Sequence, residues 1–438
     1  MTTAAAPVVA VTLRGEAGLY YADIPSAGLQ LRFDHFREER GALSTEVTVQ
    51  TVVPGGMPVY YDALRVNLLA GKRAKADFAS LLTQATGLPD ADTLVNKLFG
   101  EVKRRHRQGE QVVNLADIVP QPMRWRCWPL LPNGLPALFV AKGGTGKTTV
   151  SSVVAACVTS GMTIAGLRPV KGRVLYLDYE SSADDMALLI HAIWRGVGIE
   201  GTPDIFYRPC HRQLVDEQEE LRRACMEIKA DLVIVDSVSR AAACEDENKS
   251  GPVSLYYNAL STFGWRDETG YHRPSTLSNS HTQKGEGSDK TARGSGNWED
   301  QARSVWRLNH TLDGSTHEIG LFDTKRNLRR QMLPVGLRID YVYGESAAED
   351  TEKPLEAVLV SKSDVRDNPD LAAKLSGPDR VKAALRNGPI SRQDIARESG
   401  VSQDAVDVVL SRGKKSGRFL QFLDGPNAGK FALVSTEE

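Results

Sequence analysis

The sequence predicts an α/β protein whose core is a parallel sheet built around a phosphate-binding loop, with a β-rich then helical domain before it and a winged helix-turn-helix after it. Three observations carry this expectation. Strands apolar throughout, such as "LPALFVA", "GRVLYLD" and "DLVIVD", alternate with helical patterns, which implies a parallel sheet covered on both faces. A glycine-rich stretch, "AKGGTGKTT" at 141–149, stands between one such strand and a helix. The C-terminal segment runs through three short helical patterns into two strand-like pieces around "DGPNAG".

Taken in order, residues 8–60 alternate apolar and polar with Gly/Pro punctuation and read as strands and turns. From Ala63 to His106 the period becomes helical and ends in the basic run Lys103, Arg104, Arg105, His106, Arg107, read as a solvated helix end. The expected division is 1–118 for this N-terminal domain, whose role has no motif, 119–345 for the α/β core, 346–375 for a linker and 376–438 for the winged helix-turn-helix.

Composition limits the function classes. With 438 residues, 41% hydrophobic and 25% charged residues and a net charge of −1, the chain is an ordinary globular protein without the global basic excess of a nucleic-acid coat. Any nucleic-acid contact must be local. The five cysteines, Cys127, Cys157, Cys210, Cys225 and Cys244, form neither a C-x-x-C pair nor a metal-ligand pattern, which fits a reducing cytoplasm. No export signal and no membrane span is expected, because the N-terminus lacks a basic n-region and no apolar run reaches about 18 residues.

The loop carries the first piece of chemistry. A triphosphate is held well by backbone N–H groups that open into a helix N-terminus, and glycines let the backbone approach. Gly143, Gly144 and Gly146 supply that approach, with Ala141, Lys142 and Thr145 completing the loop; Lys147 is expected at the β and γ phosphates of ATP, Thr148 at Mg²⁺ and Thr149 in the same turn. Ala141 replaces the usual first glycine. Glu180, at the end of "LYLDYE", falls at the carboxyl edge of the sheet, where it can orient or deprotonate an attacking water. Asp236 ends "DLVIVD" and is expected to hold Mg²⁺; His281 ends a later strand and is placed to sense the γ-phosphate.

Lys142 gives "KGGTGKTT" a likeness to the deviant loop of partition and septum-positioning ATPases, but the Asp-x-Asp-Pro-Gln and Asp-Thr-Pro-Pro patterns of that family do not follow. The order of P-loop, strand-end Glu, Walker Asp, "HTQK" and "ARGS…ARS" resembles the RecA-like superfamily, most closely the RepA-type hexameric replicative helicases, over residues 119–338. The resemblance implies a RecA-like P-loop NTPase fold, hydrolysis of ATP with Mg²⁺, a homo-oligomeric ring of six and action on single-stranded DNA. It implies that Glu180 is the catalytic base and His281 a sensor. Lys284, Lys290 and Arg293 would lie in a channel loop that grips DNA, and Lys325, Arg326 or Arg329 would reach into a neighbour's nucleotide site. Arg412, Lys414 and Lys415 of the winged unit are candidate contacts to duplex DNA, although Asp404 and Asp407 share their helix. A DNA-binding ATPase switch without unwinding activity is the alternative.

Overall fold

Alternation in the first fifty residues builds a meander. The computed structural model describes residues 10–434 apart from 17, 40–41, 52–63, 109–111, 243–249, 268–269, 283–296, 328–331, 346–352 and 387. It divides into two compact units, residues 1–122 and 123–438. In the first, β1 (Thr12–Glu16), β2 (Leu19–Ile24), β3 (Leu29–Glu39), β4 (Ala42–Thr51) and β5 (Leu64–Asn67) form an antiparallel sheet in sequence order, followed by α1 (Lys72–Thr86) and α2 (Ala91–Gln108). The inward residues of the strands, Leu31, Phe33, Val47 and Val49 among them, pack with Phe78, Leu98 and Phe99 of the helices in one core. The basic run at the end of α2 serves this unit. Arg105 donates to the Leu13 carbonyl at 2.9 Å and pairs with Glu101, and Arg107 pairs with Glu38.

The second unit opens with β6 (Trp125–Trp128), β7 (Leu131–Pro132), β8 (Pro136–Ala141), α3 (Lys147–Ser160) and β9 (Arg168–Pro169). Next come β10 (Val174–Asp178), α4 (Ala183–Gly196), β11 (Ile205–Pro209), α5 (Gln218–Ile228), β12 (Leu232–Asp236), α6 (Val238–Ala241) and α7 (Ser250–Ser261). A small hairpin, β13 (Trp265–Asp267) and β14 (Gly270–His272), leads to β15 (Ser275–His281) and α8 (Asn297–Gln301). The strands β16 (Ser304–Asp313), β17 (Thr316–Arg326), β18 (Val335–Tyr343) and β19 (Leu355–Ser363) complete the sheet.

Nine strands stand in the order β11-β10-β12-β15-β8-β16-β17-β18-β19, a parallel-rich mixed α/β sheet. The first six are parallel and the last three run as antiparallel hairpins. Consecutive residues of β8 serve opposite faces: Phe139 and Ala141 join the core under α3 and α4, whereas Leu138 and Val140 join the core under α5 and α7. Helix α3 is buried on nearly all sides because "VSSVVAACV" is small and largely apolar. No described helix is long and apolar enough to cross a membrane.

One boundary differs from the sequence expectation. Residues 355–363, assigned to a linker, form β19 and pair with β18, so the core sheet extends to Ser363. Val358 joins the core and Arg195 at the end of α4 donates to the Glu356 carbonyl at 2.6 Å, which fixes the strand against the helix. Beyond it, α9 (Pro369–Ala372) precedes α10 (Gly377–Ala384), α11 (Arg392–Ser399), α12 (Gln403–Lys415) and an antiparallel hairpin of β20 (Phe419–Gln421) and β21 (Phe431–Leu433). This C-terminal group has its own small core of Val381, Ile395, Val406, Leu410, Phe419 and Phe431.

Candidate nucleotide site

The strand order decides which side chains can meet. Parallel strands deliver their carboxyl ends to one edge, and at that edge Asp178 of β10 stands level with Asp236 of β12, Asp236 with Asn279 of β15, and His281 with Ala141 of β8. The loop between β8 and α3 crosses the same edge. Gly144 (φ +75°) and Gly146 (φ +89°) take left-handed backbone angles, and a Cβ on Gly146 would stand 3.0 Å from the Ile319 Cδ1 methyl. Ala141 has no such demand: it closes β8 in regular pairing with His281, a backbone that alanine adopts as readily as glycine.

Lys147 turns back into the loop. The residue is only 6% exposed, and its amine donates to the carbonyls of Lys142 (2.9 Å) and Ala141 (3.2 Å), with His281 Nδ1 at 3.3 Å. The buried Thr145 hydroxyl braces the same Lys142 carbonyl at 2.9 Å, while the Lys142 side chain is exposed. Burial lowers the Lys147 pKa to about 8, against the pull of Asp236 and Glu180.

The carboxylates meet the loop from β10 and β12. Thr148 donates its hydroxyl to Asp236 Oδ2 at 2.7 Å, and the buried Tyr176 phenol donates to the same oxygen at 2.9 Å. Burial pushes the Asp236 carboxyl above its ordinary value, although hydrogen bonds from Thr148, Asn279 and Tyr176 oppose the rise. A carboxylate beside a hydroxyl, held at one point, is a fitting donor set for a divalent cation.

Glu180 sits on a turn fixed by Asp178, whose Oδ1 accepts the amides of Glu180 (2.8 Å) and Ser181 (3.0 Å) while Tyr207 donates to Oδ2 at 3.2 Å. Its carboxylate accepts from the Ser237 hydroxyl and faces His281 Nε2 at 3.8 Å. The His281 imidazole first, then Ser237, hold the Glu180 pKa down at about 2 against its burial. Because an ammonium only donates, Nδ1 of His281 is the acceptor for Lys147 and Nε2 carries the proton toward Glu180. Lys147, His281 and Glu180 thus form one chain across the site.

Sequence reasoning missed Tyr176, Asp178, Ser237 and Asn279. A usable signal existed in "STLSNSH", where Ser278, Asn279 and Ser280 are polar yet buried, an anomaly for a central strand. Asn279 Oδ1 accepts from Ser151 of α3 at 2.9 Å, which ties the helix to the strand.

Lys284, Lys290, Arg293 and Arg329 fall outside the described residues, as does the side chain of Arg326. Lys325, expected at a neighbour's nucleotide site, donates its amine within the chain to the Glu299 carbonyl at 2.8 Å and to that of Asp300, carbonyls that a helix end leaves unsatisfied. Arg412, Lys414 and Lys415 stand in the last turn of α12, and Lys414 donates to Gln421 at 2.6 Å. Asp407 of the same helix pairs with Arg392 at 3.3 Å. A cleft of about 990 Å³, lined by Lys171, Trp194, Asp231 and Trp265, lies at the opposite, amino-terminal ends of the strands and holds neither the phosphate-loop residues nor Glu180 and Asp236.

Comparison with known proteins bears on the same segment. The AAA domain family matches residues 102–287, a stretch that takes in the phosphate loop, Glu180, Asp236 and His281. No curated protein matches. Among solved structures, the chain is similar to a KaiC-like protein of the archaeon Pyrococcus horikoshii OT3 (15% identity, TM-score 0.37), over 55% of this chain and 99% of that one. It is also similar to the flagellar accessory protein FlaH of Methanocaldococcus jannaschii (12% identity, TM-score 0.35), over 53% of this chain and 92% of that one.

Proposed function

We propose that this chain is a RecA-like ATPase that works as a ring-forming motor on single-stranded DNA, with unwinding of duplex DNA as its activity. The observation that carries the reading is the convergence of Lys147, Thr148, Glu180, Asp236 and His281 at one edge of the sheet. In this reading the loop amides and Lys147 hold the β and γ phosphates of ATP, and Thr148 with Asp236 holds Mg²⁺, which supplies charge neutralisation on the phosphates. Glu180 orients the attacking water, and His281, bonded to Lys147 on one side and facing Glu180 on the other, reports the γ-phosphate to both. The DNA part of the reading rests on the sequence likeness to replicative helicases. The helical trio with its hairpin, read as a winged helix that contacts duplex DNA through Arg412, Lys414 and Lys415, adds to it.

The deciding experiment is strand displacement on forked DNA with ATP, run beside the particle mass in solution. A six-subunit particle that unwinds DNA and hydrolyses ATP faster with single strands supports the motor. A nucleotide-dependent dimer on duplex DNA without unwinding favours the switch.

The site also sets a pH dependence. In the free protein Lys147 titrates near 8, so its charge is present below that pH and is lost above it. A triphosphate restores the charge by raising that pKa, so ATP binding between about pH 8 and 10 takes up a proton. Calorimetry in buffers of different ionisation heat will show that uptake at pH 8.5 and little of it at pH 6.5.

A further inference from the structure

The first turn of α3 points in two directions. Lys147 and Thr148 face His281 and Asp236, on the β15–β12 side of the loop strand, and these residues fix where the γ end of a triphosphate lies. The nucleoside end must then leave on the other side of β8, where β16, β17 and β18 stand. On that side Thr149, the next residue of the turn, shares a hydrogen bond of 2.8 Å with the Tyr341 hydroxyl. The His317 ring meets Tyr341 edge-on with centroids 5.0 Å apart, and His310 lies roughly parallel to His317 at 6.0 Å. These three partly buried rings come from three adjacent strands on the face that also carries Ile319, the residue packed behind Gly146.

From this we propose that Tyr341 and His317 form the stacking shelf for the nucleobase, so that the aromatic end of the sheet selects a nucleoside triphosphate over a bare polyphosphate. The inference deepens the nucleotide-site reading and rests on it. Burial holds both histidines below the ordinary imidazole value, His310 adding to the effect on His317, and neutral rings offer π faces rather than charge. Stacking is tolerant of base identity, because every base has a π face. The Tyr341 hydroxyl serves the shelf differently. Bonded to Thr149, it holds the ring at a fixed distance from the loop.

The test is calorimetric binding of Mg·ATP and of Mg·tripolyphosphate to the full chain and to Y341A, H317A and Y341F. Wild type should bind ATP at least about tenfold more tightly than tripolyphosphate, the factor expected of one stacked base. Y341A and H317A should lose about that factor for ATP and none for tripolyphosphate, and Y341F, which keeps the ring but not its bond to Thr149, should lose less for ATP than Y341A does. Equal wild-type affinities would overturn the shelf while leaving the phosphate cradle intact, and no special variant is needed to see this. Loss of both ligands in Y341A would overturn it in favour of a purely structural role for Tyr341. Failure of wild type to bind either ligand would overturn the nucleotide-site reading itself.

Discussion

Glu180→Gln is expected to bind ATP normally and to hydrolyse it about 10²- to 10⁴-fold more slowly, the range that a positioned proton acceptor contributes. The substitution keeps the shape of the side chain and its bond to Ser237, and the turn beneath it is held by Asp178 through backbone amides that the change does not touch. The negative charge is removed and one acceptor oxygen becomes an NH₂ donor. Because His281 and Ser237 hold the Glu180 carboxylate near pKa 2, it is ionised at every pH above that value, and its contribution is lost only as the pH falls through about 2. Any loss of rate between pH 5 and 7 should therefore not come from Glu180. Such a carboxylate is a weak base, so it orients the water first and accepts its proton late, as the attacking oxygen becomes acidic. Single-turnover hydrolysis beside ATP affinity separates the two effects. A variant with the wild-type rate would remove Glu180 from the chemistry, and one that no longer binds ATP would make it a structural residue.

Features written in contiguous residues were legible in the sequence. The loop 141–149 lies between a strand and a helix, and "LYLDYE" and "DLVIVD" deliver Glu180 and Asp236 to the sheet edge, because a short apolar run closed by a carboxylate has few other places to go. What depended on long-range pairing was not legible. Thr149 and Tyr341 are 192 residues apart, and no local signal joins them. The placement of β15 between β8 and β12, which puts His281 beside both Lys147 and Glu180, is a fact of sheet order. Alternation in 355–363 suited a strand, but only its pairing with β18 shows that it belongs to the core. The partners of the cations were likewise not legible: Arg105 donates to the Leu13 carbonyl, Arg107 pairs with Glu38 and Lys325 donates to carbonyls at a helix end.

Lys147→Ala is expected to weaken ATP binding by roughly 10- to 150-fold, the value of one charge-assisted hydrogen bond of about 1.5–3 kcal/mol, and to cut hydrolysis further by about 10²- to 10³-fold, because the charge that develops on the γ-phosphate loses its nearest cation. The surroundings of the amine are specific to it. The amine is enclosed, its three partners are the Ala141 and Lys142 carbonyls and His281, and the Lys142 side chain is exposed on the loop. Removing it leaves His281 Nδ1 without its donor, so the imidazole loses the bond that sets its tautomer and its aim at Glu180. Lys147→Arg should fail almost as badly, because a planar guanidinium does not fit a space shaped for a compact ammonium. Equilibrium ATP binding and steady-state hydrolysis of the two variants check the claim. If arginine restored hydrolysis, positive charge alone would suffice and the enclosed geometry around the amine would count for little. If alanine bound ATP as wild type does, the loop amides alone would hold the phosphates.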